Sequence, residues 1–325
     1  MSKVFLKIGL LLIVMVTFKS GYAAEKITYL FPAPATLPAF APFQLAKYKG
    51  YYADEELDVD FLVGKGGADV AKQVAVGNVD LGGGIGDTPI ITRANGLKVQ
   101  GVALLGGQAL TQVVVRKDAN IASPADLKGR SIGVMSFKDT TFYNLLAVLK
   151  SADLSQQDAS VQALGPGGLI KLMISGDIQA FSGVPEWTVA VEGAGIDVDV
   201  WNINDIYPAM AQAIFASDST IKDRPEAVRG FVKATLRAVR DIQNNSKQAA
   251  LDYIDAVPSH KGKESSIEET LNRYATLVYP TNGNLKLGEF DEDQMTMVQT
   301  FYVESGIVHK MVPIKNTFTN QFIAN

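Results

Sequence analysis

Leu57-Asp58-Val59-Asp60-Phe61-Leu62, then Gly64-Lys65-Gly66-Gly67, then a run carrying Val70, Val74 and Val76 to a stop at Gly77, form the passage that decides the fold. The first piece alternates apolar and acidic residues with period two, which reads as a half-buried strand. The second is a glycine-rich turn. The third places its valines at helical spacing and ends at a helix-stopping glycine. A strand followed by a loop and a helix can return to a parallel neighbour, because a parallel pair needs a crossover of about a dozen residues or more.

The same grammar recurs on both sides. Residues 27–30 read as a strand, followed by a Pro/Ala loop at 31–38 and a helix near 39–49. Val79-Asp80-Leu81 reads as a short strand, Gly82-Gly83-Gly84-Ile85-Gly86 as a loop, Ile90 and Ile91 as part of a helix, and 99–105 as a fourth strand. Strands are expected again at 111–115, 131–134, 161–164 and 178–181, with helices at 140–151, from Gly165-Pro166-Gly167-Gly168 through Leu169, Leu172 and Met173, and from Pro185 toward Glu192. Ser123-Pro124-Ala125-Asp126-Leu127 reads as a capped turn, with Ser123 as N-cap and Pro124 at the first helical position. The last third is helical: Val228, Phe231, Val232, Leu236, Val239 and Ile242 share one face after Arg224-Pro225-Glu226. The expectation is an α/β protein of two lobes, lobe 1 from 24–107 plus 213–325 and lobe 2 from 108–212. Two crossover segments, near Leu105-Gly106-Gly107 and near Ala213-Ile214-Phe215-Ala216, would make a hinge.

Composition removes whole classes of chemistry. The 325 residues contain no cysteine, so disulfides, thiolate nucleophiles and zinc–cysteine sites are excluded. Residues 1–23 carry Lys3 and Lys7, an apolar run from Ile8 to Val16, and the small residues Gly21 and Ala23, the order of a cleavable signal peptide. An uncleaved membrane anchor is the competing reading. Without a cysteine for lipid attachment, the exported chain is expected free in the periplasm. The formal charge is −4; a leader that takes Lys3, Lys7 and Lys19 with it leaves about −7. A mildly acidic chain without basic blocks is a poor partner for nucleic acid.

Four small-residue loops fall between a strand and a helix: Gly64 to Gly67, Gly82 to Thr88, Ser136 to Thr141, and Gly165 to Gly168. In open α/β sheets ligands bind beyond the carboxyl ends of the strands, where helix N-termini present unpaired N–H groups. The alternative is ordinary turn chemistry. Lys65 reads as a cation for an anionic ligand or as a solvated side chain. Thr140 and Thr141 read as ligand donors, with capping by Asp139 or Thr140 as the alternative. Trp187 reads as a stacking surface or as core, and Glu186 as an acceptor for an amine or as a first-turn acid. No nucleotide fingerprint, nucleophile elbow or paired acid/base arrangement is present, and His260 and His309 have no metal-ligand partner at helical spacing. The inventory is that of a binder without metal or cofactor, and not of an enzyme.

Four marks add a family resemblance. Gly50-Tyr51-Tyr52-Ala53-Asp54-Glu55-Glu56-Leu57-Asp58-Val59 is similar to a "G-aromatic-F…E-G-L-D-V" segment, with Glu56 where glycine is usual. Val76-Gly77-Asn78-Val79-Asp80-Leu81-Gly82 matches "G-x-x-D-x-G", and Gly86-Asp87-Thr88-Pro89 follows it as in sulfonate-type members. Leu127-Lys128-Gly129-Arg130-Ser131-Ile132-Gly133-Val134 matches "L-K-G-K-x-I-G-V", and Arg224-Pro225-Glu226-Ala227-Val228 matches the "P-E-x-V" start of a return helix. The chain thus resembles substrate-binding proteins of ABC importers in the NitT/TauT group, which handle nitrate, taurine, alkanesulfonates and thiamine-pyrimidine precursors. The resemblance implies a type II periplasmic binding protein fold, a small-molecule ligand closed between two lobes, permease transmembrane subunits as partners, and a monomer. It suggests ligand contacts from Ala35, Thr36, Leu37, Gly64, Lys65, Gly66, Gly67, Asp87, Thr88, Ser136, Lys138, Asp139, Thr140, Thr141, Pro185 and Glu186, to which the loop and stacking readings above add Gly86, Gly167 and Trp187. The loop after the first strand lacks the tryptophan and histidine of the pyrimidine-binding branch, which speaks against a pyrimidine, and the donor-rich loops suit a sulfonate-like or other small organic anion, the expected ligand. A thiamine-pyrimidine or other aromatic precursor is the alternative, and a pyrimidine-synthesising enzyme of the same fold is a remoter one.

Overall fold

The computed structural model describes residues 23–137 and 139–323. The signal-peptide reading of 1–23 therefore lies, apart from Ala23, outside the described residues. The chain opens with β1 (Glu25–Phe31), α1 (Ala41–Tyr48), α2 (Tyr51–Asp54), β2 (Leu57–Val63), α3 (Gly67–Ala75), β3 (Leu81–Ile85), α4 (Thr88–Ala94) and β4 (Val99–Leu104). It then crosses to a second sheet through β5 (Gln112–Arg116), β6 (Ser131–Val134), α5 (Thr140–Lys150), β7 (Ser160–Ala163), α6 (Gly165–Ser175), β8 (Ala180–Gly183), α7 (Pro185–Gly193) and β9 (Val198–Asn202). It returns as β10 (Gln212–Ser217) and ends in α8 (Asp218–Asp223), α9 (Pro225–Asn244), α10 (Ser246–Ala256), α11 (Glu264–Arg273), a π-helical turn (Tyr274–Val278) and α12 (Glu292–Glu304).

The strand orders are β2-β1-β3-β10-β4 and β7-β6-β8-β5-β9. β1 pairs in parallel with β2 and β3, and β6 with β7 and β8. Each sheet also holds one strand that runs against its neighbours, β10 in the first and β5 in the second. Two sequence expectations are corrected here. Ala213-Ile214-Phe215-Ala216 is not a link but the fully buried interior of β10, between β3 and β4. An unbroken apolar run suits a strand covered on both faces better than a hinge. The second passage between sheets runs instead through 203–211.

The second correction concerns Gly82-Gly83-Gly84-Ile85, which is strand β3 and not a loop. Its glycines are set by packing. A Cβ on Gly82 would lie 2.3 Å from Val70 of α3, one on Gly83 2.2 Å from the Tyr29 hydroxyl, and one on Gly84 2.8 Å from the Phe215 ring. The space a side chain would fill is thus taken by neighbours. Tyr29 continues into an aromatic stack, 4.6 Å from Phe43 and 5.1 Å from Phe231, with Phe231 in turn 4.9 Å from Tyr52. Phe231 lies on the apolar face of α9, which places the return helix against the first sheet's core.

Two of the sequence marks prove to be structural clamps. Asp80 accepts hydrogen bonds from the Thr28 amide (2.7 Å) and hydroxyl (2.8 Å) and pairs with Arg224. Arg224 also reaches Glu25 and the Lys26 carbonyl, so one carboxylate ties β1 to the residue that precedes α9. The two passages between sheets are tied as well. Asn204 of the second donates to Gln108 of the first (2.5 Å) and accepts from the Ala109 amide (3.2 Å). Gln108 also bonds Asn282 of the C-terminal tail, and Asn282 donates to the Gly107 carbonyl (2.6 Å).

Glu56 has φ +57° and an exposed side chain. Left-handed backbone costs a non-glycine residue about 1–2 kcal/mol, while glycine loses roughly 0.5–1 kcal/mol more chain freedom on folding. Glu56→Gly is therefore expected to raise unfolding stability by about 0.5 kcal/mol. Urea denaturation of both proteins would measure it, and a loss of stability would show that the Glu56 side chain contributes more than its strained backbone costs.

A cleft between the two sheets

Strands β1, β2, β3, β6 and β8 end at one cleft of about 510 Å³, within the range of about 300–1,000 Å³ usual for small-molecule sites. Its floor is Gly83, Gly84 and Ile85 of β3 with Gln212 and Ala213 of β10. Pro32, Ala33, Leu37, Phe40, Phe43 and Tyr29 form one wall, and Met135, Phe137, Tyr143, Val184 and Trp187 the other. The bare backbone of β3 lets aromatic rings from both sides come close to the same space. Trp187 serves both of its readings: it is only 5% exposed, it sits where a Cβ on Gly183 would collide with it, and its remaining surface lines the cleft.

The polar groups are few. Lys65 is exposed on the rim. Asp139 caps α5, accepting from the Phe142 amide (3.0 Å), the Thr141 hydroxyl (2.6 Å) and the Ser136 hydroxyl (3.2 Å). Burial nevertheless holds its carboxyl above the usual range, against those hydrogen bonds. Glu186 sits in the first turn of α7, accepts from the Tyr274 hydroxyl (2.6 Å), and is also pushed upward by burial. It therefore joins the second sheet's lobe to the C-terminal tail. Arg273 paired with Glu192, and Lys150 with Glu304, bridge the same gap farther out. Gln212 is 8% exposed, and its Oε1 has no hydrogen-bond partner within the protein.

Of the residues expected at the site, the cleft brings together Leu37, Lys65, Gly66, Gly67, Thr88, Ser136, Asp139, Thr140, Thr141, Glu186 and Trp187. The others stand elsewhere. Ala35 and Thr36 turn their carbonyls to helices, Ala35 to Gln44 and Thr36 to the Tyr253 hydroxyl and His260. Gly64 packs on Leu30 and Asp69, and Gly86 on Leu104 and Met210. Pro185 is buried at the start of α7. Gly167 is exposed on α6, away from the lining, because the β7–α6 loop belongs to the outermost strand of its sheet. Lys138 lies outside the described residues. Asp87 is behind the wall: fully buried, it accepts from the Tyr302 hydroxyl (2.7 Å) and from Thr140 (3.4 Å), so it links the two lobes instead of lining the cleft. Sequence reasoning missed Tyr29, Phe40, Phe43, Tyr143 and Gln212. The aromatic residues carry the apolar periodicity of core positions, and Gln212 precedes a run taken for a link.

Two α/β sheets, two passages and a cleft at the carboxyl ends of the strands define the type II periplasmic binding protein fold, as found in substrate-binding components of ABC importers. The chain belongs to the family described as NMT1/THI5 like, which it matches over residues 37–249. It is 27% identical over 289 residues to the riboflavin-binding protein RibY of Chloroflexus aurantiacus, covering 87% of this chain and 82% of the relative. It is 26% identical over 250 residues to a 4-amino-5-hydroxymethyl-2-methylpyrimidine phosphate synthase of Aspergillus parasiticus, covering 73% of this chain and 72% of the enzyme. The crystal structure of the periplasmic aliphatic sulphonate binding protein SsuA from Escherichia coli superposes with a TM-score of 0.72 at 16% identity, over 90% of this chain and 96% of that one.

Burial pushes the Asp87 carboxyl up to about 6, the hydrogen bonds from Tyr302 and Thr140 only partly opposing it. The unfolded chain releases this proton near the ordinary carboxyl value of 3.8, the folded chain only near 6. Stability linked to Asp87 is thus complete below the lower value and lost as pH rises through the upper one. Asp87→Asn is expected to gain stability relative to the parent by on the order of 2 kcal/mol between pH 4 and pH 7. Denaturant titrations across that window would show it; a difference independent of pH would mean that Asp87 ionises as an ordinary carboxyl.

Proposed function

We propose that the mature chain is the periplasmic solute-binding component of an ABC importer, and that its ligand is a neutral, planar heteroaromatic molecule handed to a membrane permease. The lining of the cleft carries this reading. Tyr29, Phe40, Phe43, Phe137, Tyr143 and Trp187 surround the space, and flat rings stack favourably on such walls. The basic and acidic side chains among the lining residues are Lys65, Asp139 and Glu186. One rim cation facing two partly buried carboxylates is a poor field for a sulfonate or nitrate, whose charge would be desolvated without compensation. The similarity to a riboflavin-binding relative over most of both chains supports the same choice. The donor-rich loops that favour a small organic anion in the sequence have less to offer here, since the Ser136 and Thr141 hydroxyls are engaged with Asp139.

A binding role is favoured over synthesis of a pyrimidine. His260 is turned to the Thr36 carbonyl, and neither histidine lines the cleft. Among the described residues, no three His, Asp or Glu side chains are grouped to hold a metal ion. Among them too, no helix is long and apolar enough to cross a membrane, and export followed by release into the periplasm rests on the character of residues 1–23.

Purified mature protein titrated with riboflavin, lumiflavin, aminopyrimidines, short alkanesulfonates and nitrate tests the proposal. A flat heterocycle at a hundredfold over its Kd is expected to stabilise the fold by about 2.7 kcal/mol and to have its emission, or that of Trp187, changed on binding. Saturable binding of sulfonate or nitrate with silence from every aromatic probe would overturn it.

A further inference from the structure

We infer that Gln212 determines specificity within the cleft by reading a ring edge that carries an N–H beside a carbonyl, as in a cyclic imide or lactam. The inference rests on the aromatic-ligand reading above and adds which face of the ring is recognised. Gln212 opens β10 at the floor of the cleft, opposite Ile85 of β3, and its backbone carbonyl is taken by the Leu105 amide at 2.7 Å. The backbone is thereby fixed and the side chain left over. That side chain is more than nine-tenths buried, yet its Oε1 meets no donor in the protein. Turning the carboxamide by half a turn exchanges oxygen for nitrogen but leaves the same buried position without a partner.

A buried polar atom without a partner is costly and uncommon in folded proteins. Two other buried side-chain amides are paired: Gln294 donates to the Ala209 carbonyl, and Gln299 pairs twice with Val312. Asn144 also has a buried oxygen without a partner, but its Nδ2 is bonded to Thr111 and it is not among the residues lining the cleft. Gln212 thus holds a donor and an acceptor side by side, unpaired by the protein, at the floor of the cleft. A carboxylate or sulfonate, which only accepts, can satisfy one half of it. A ring edge with N–H next to C=O satisfies both halves in one plane, in line with the stacking walls. A site built to pair such an edge rejects the analogue that lacks it far more strongly than an apolar pocket rejects an added group.

The test compares lumiflavin with N3-methyl-lumiflavin, which keeps the flat ring but loses the imide N–H, on the parent protein and on Gln212→Met, a variant of equal length without the amide. The parent is expected to bind lumiflavin at least tenfold more tightly than the methylated probe. Gln212→Met is expected to reduce that preference to twofold or less by weakening lumiflavin alone. Its unliganded melting temperature should equal or exceed the parent's, because the unpaired amide is gone. Gln212→Leu serves as a second variant if the methionine protein does not fold. Equal binding of both probes by the parent, or a preference that persists undiminished in the variant, overturns the role of Gln212 and leaves the aromatic reading standing. Failure of the parent to bind any flat probe removes that reading, and this inference with it.

Discussion

The absence of side chains at Gly82, Gly83 and Gly84 is the constraint on which the rest of the molecule depends. β3 is a central strand, hydrogen-bonded to β1 on one side and β10 on the other, and glycine normally weakens such a position. Here the missing Cβ atoms admit Val70 from one face, the Tyr29 hydroxyl beside the strand and the Phe215 ring beside Gly84. Tyr29 belongs to the stack that reaches through Phe43 and Phe231 to Tyr52, so the packing of α1, α2 and α9 follows from the same bare strand. The floor of the cleft is its other product: peptide surface, with aromatic walls rising from it.

The order of strands and helices was legible because its signals are local. The alternation at Leu57–Leu62, the valine spacing in α3 and the glycine after it, and the apolar face of α9 each depend on residues within a few turns of one another. What failed were readings in which distant neighbours decide. Gly82–Ile85 has the composition of a loop and becomes a strand because Val70, Tyr29 and Phe215 fill the gaps. Ala213–Ala216 has nothing to mark it as a central strand until β3 and β4 lie on either side. The sequence marks of the family read mainly as scaffold. Asp80 binds Thr28 and Arg224, and Glu56 holds a left-handed position that suits glycine.

The site was legible in outline and not in chemistry. Loops at the ends of β2, β3, β6 and β8 were placed by topology alone, and Lys65, Thr88, Asp139 and Glu186 reach the cleft as that rule requires. Asp87 and Thr36 sit in loops of the same kind, but their polar atoms are taken by Tyr302, Tyr253 and His260 from the C-terminal helices, which no local pattern announces. The aromatic walls were hidden for the opposite reason. Tyr29 and Phe43 are core residues by periodicity and burial, and only the side that happens to border the cleft gives them a second role.

The ties among Gln108, Asn204 and Asn282 bear on how the molecule moves. Two polypeptide passages alone would behave as a simple swivel, free over a wide arc. A third segment, anchored between the π-helical turn and α12, is fastened to the first passage and through it to the second. Rotation of one half against the other must then either shear these amide contacts or carry residues 279–291 along. A cut in that stretch would therefore act at a distance: it would leave both sheets whole, yet release the brace that sets their resting angle.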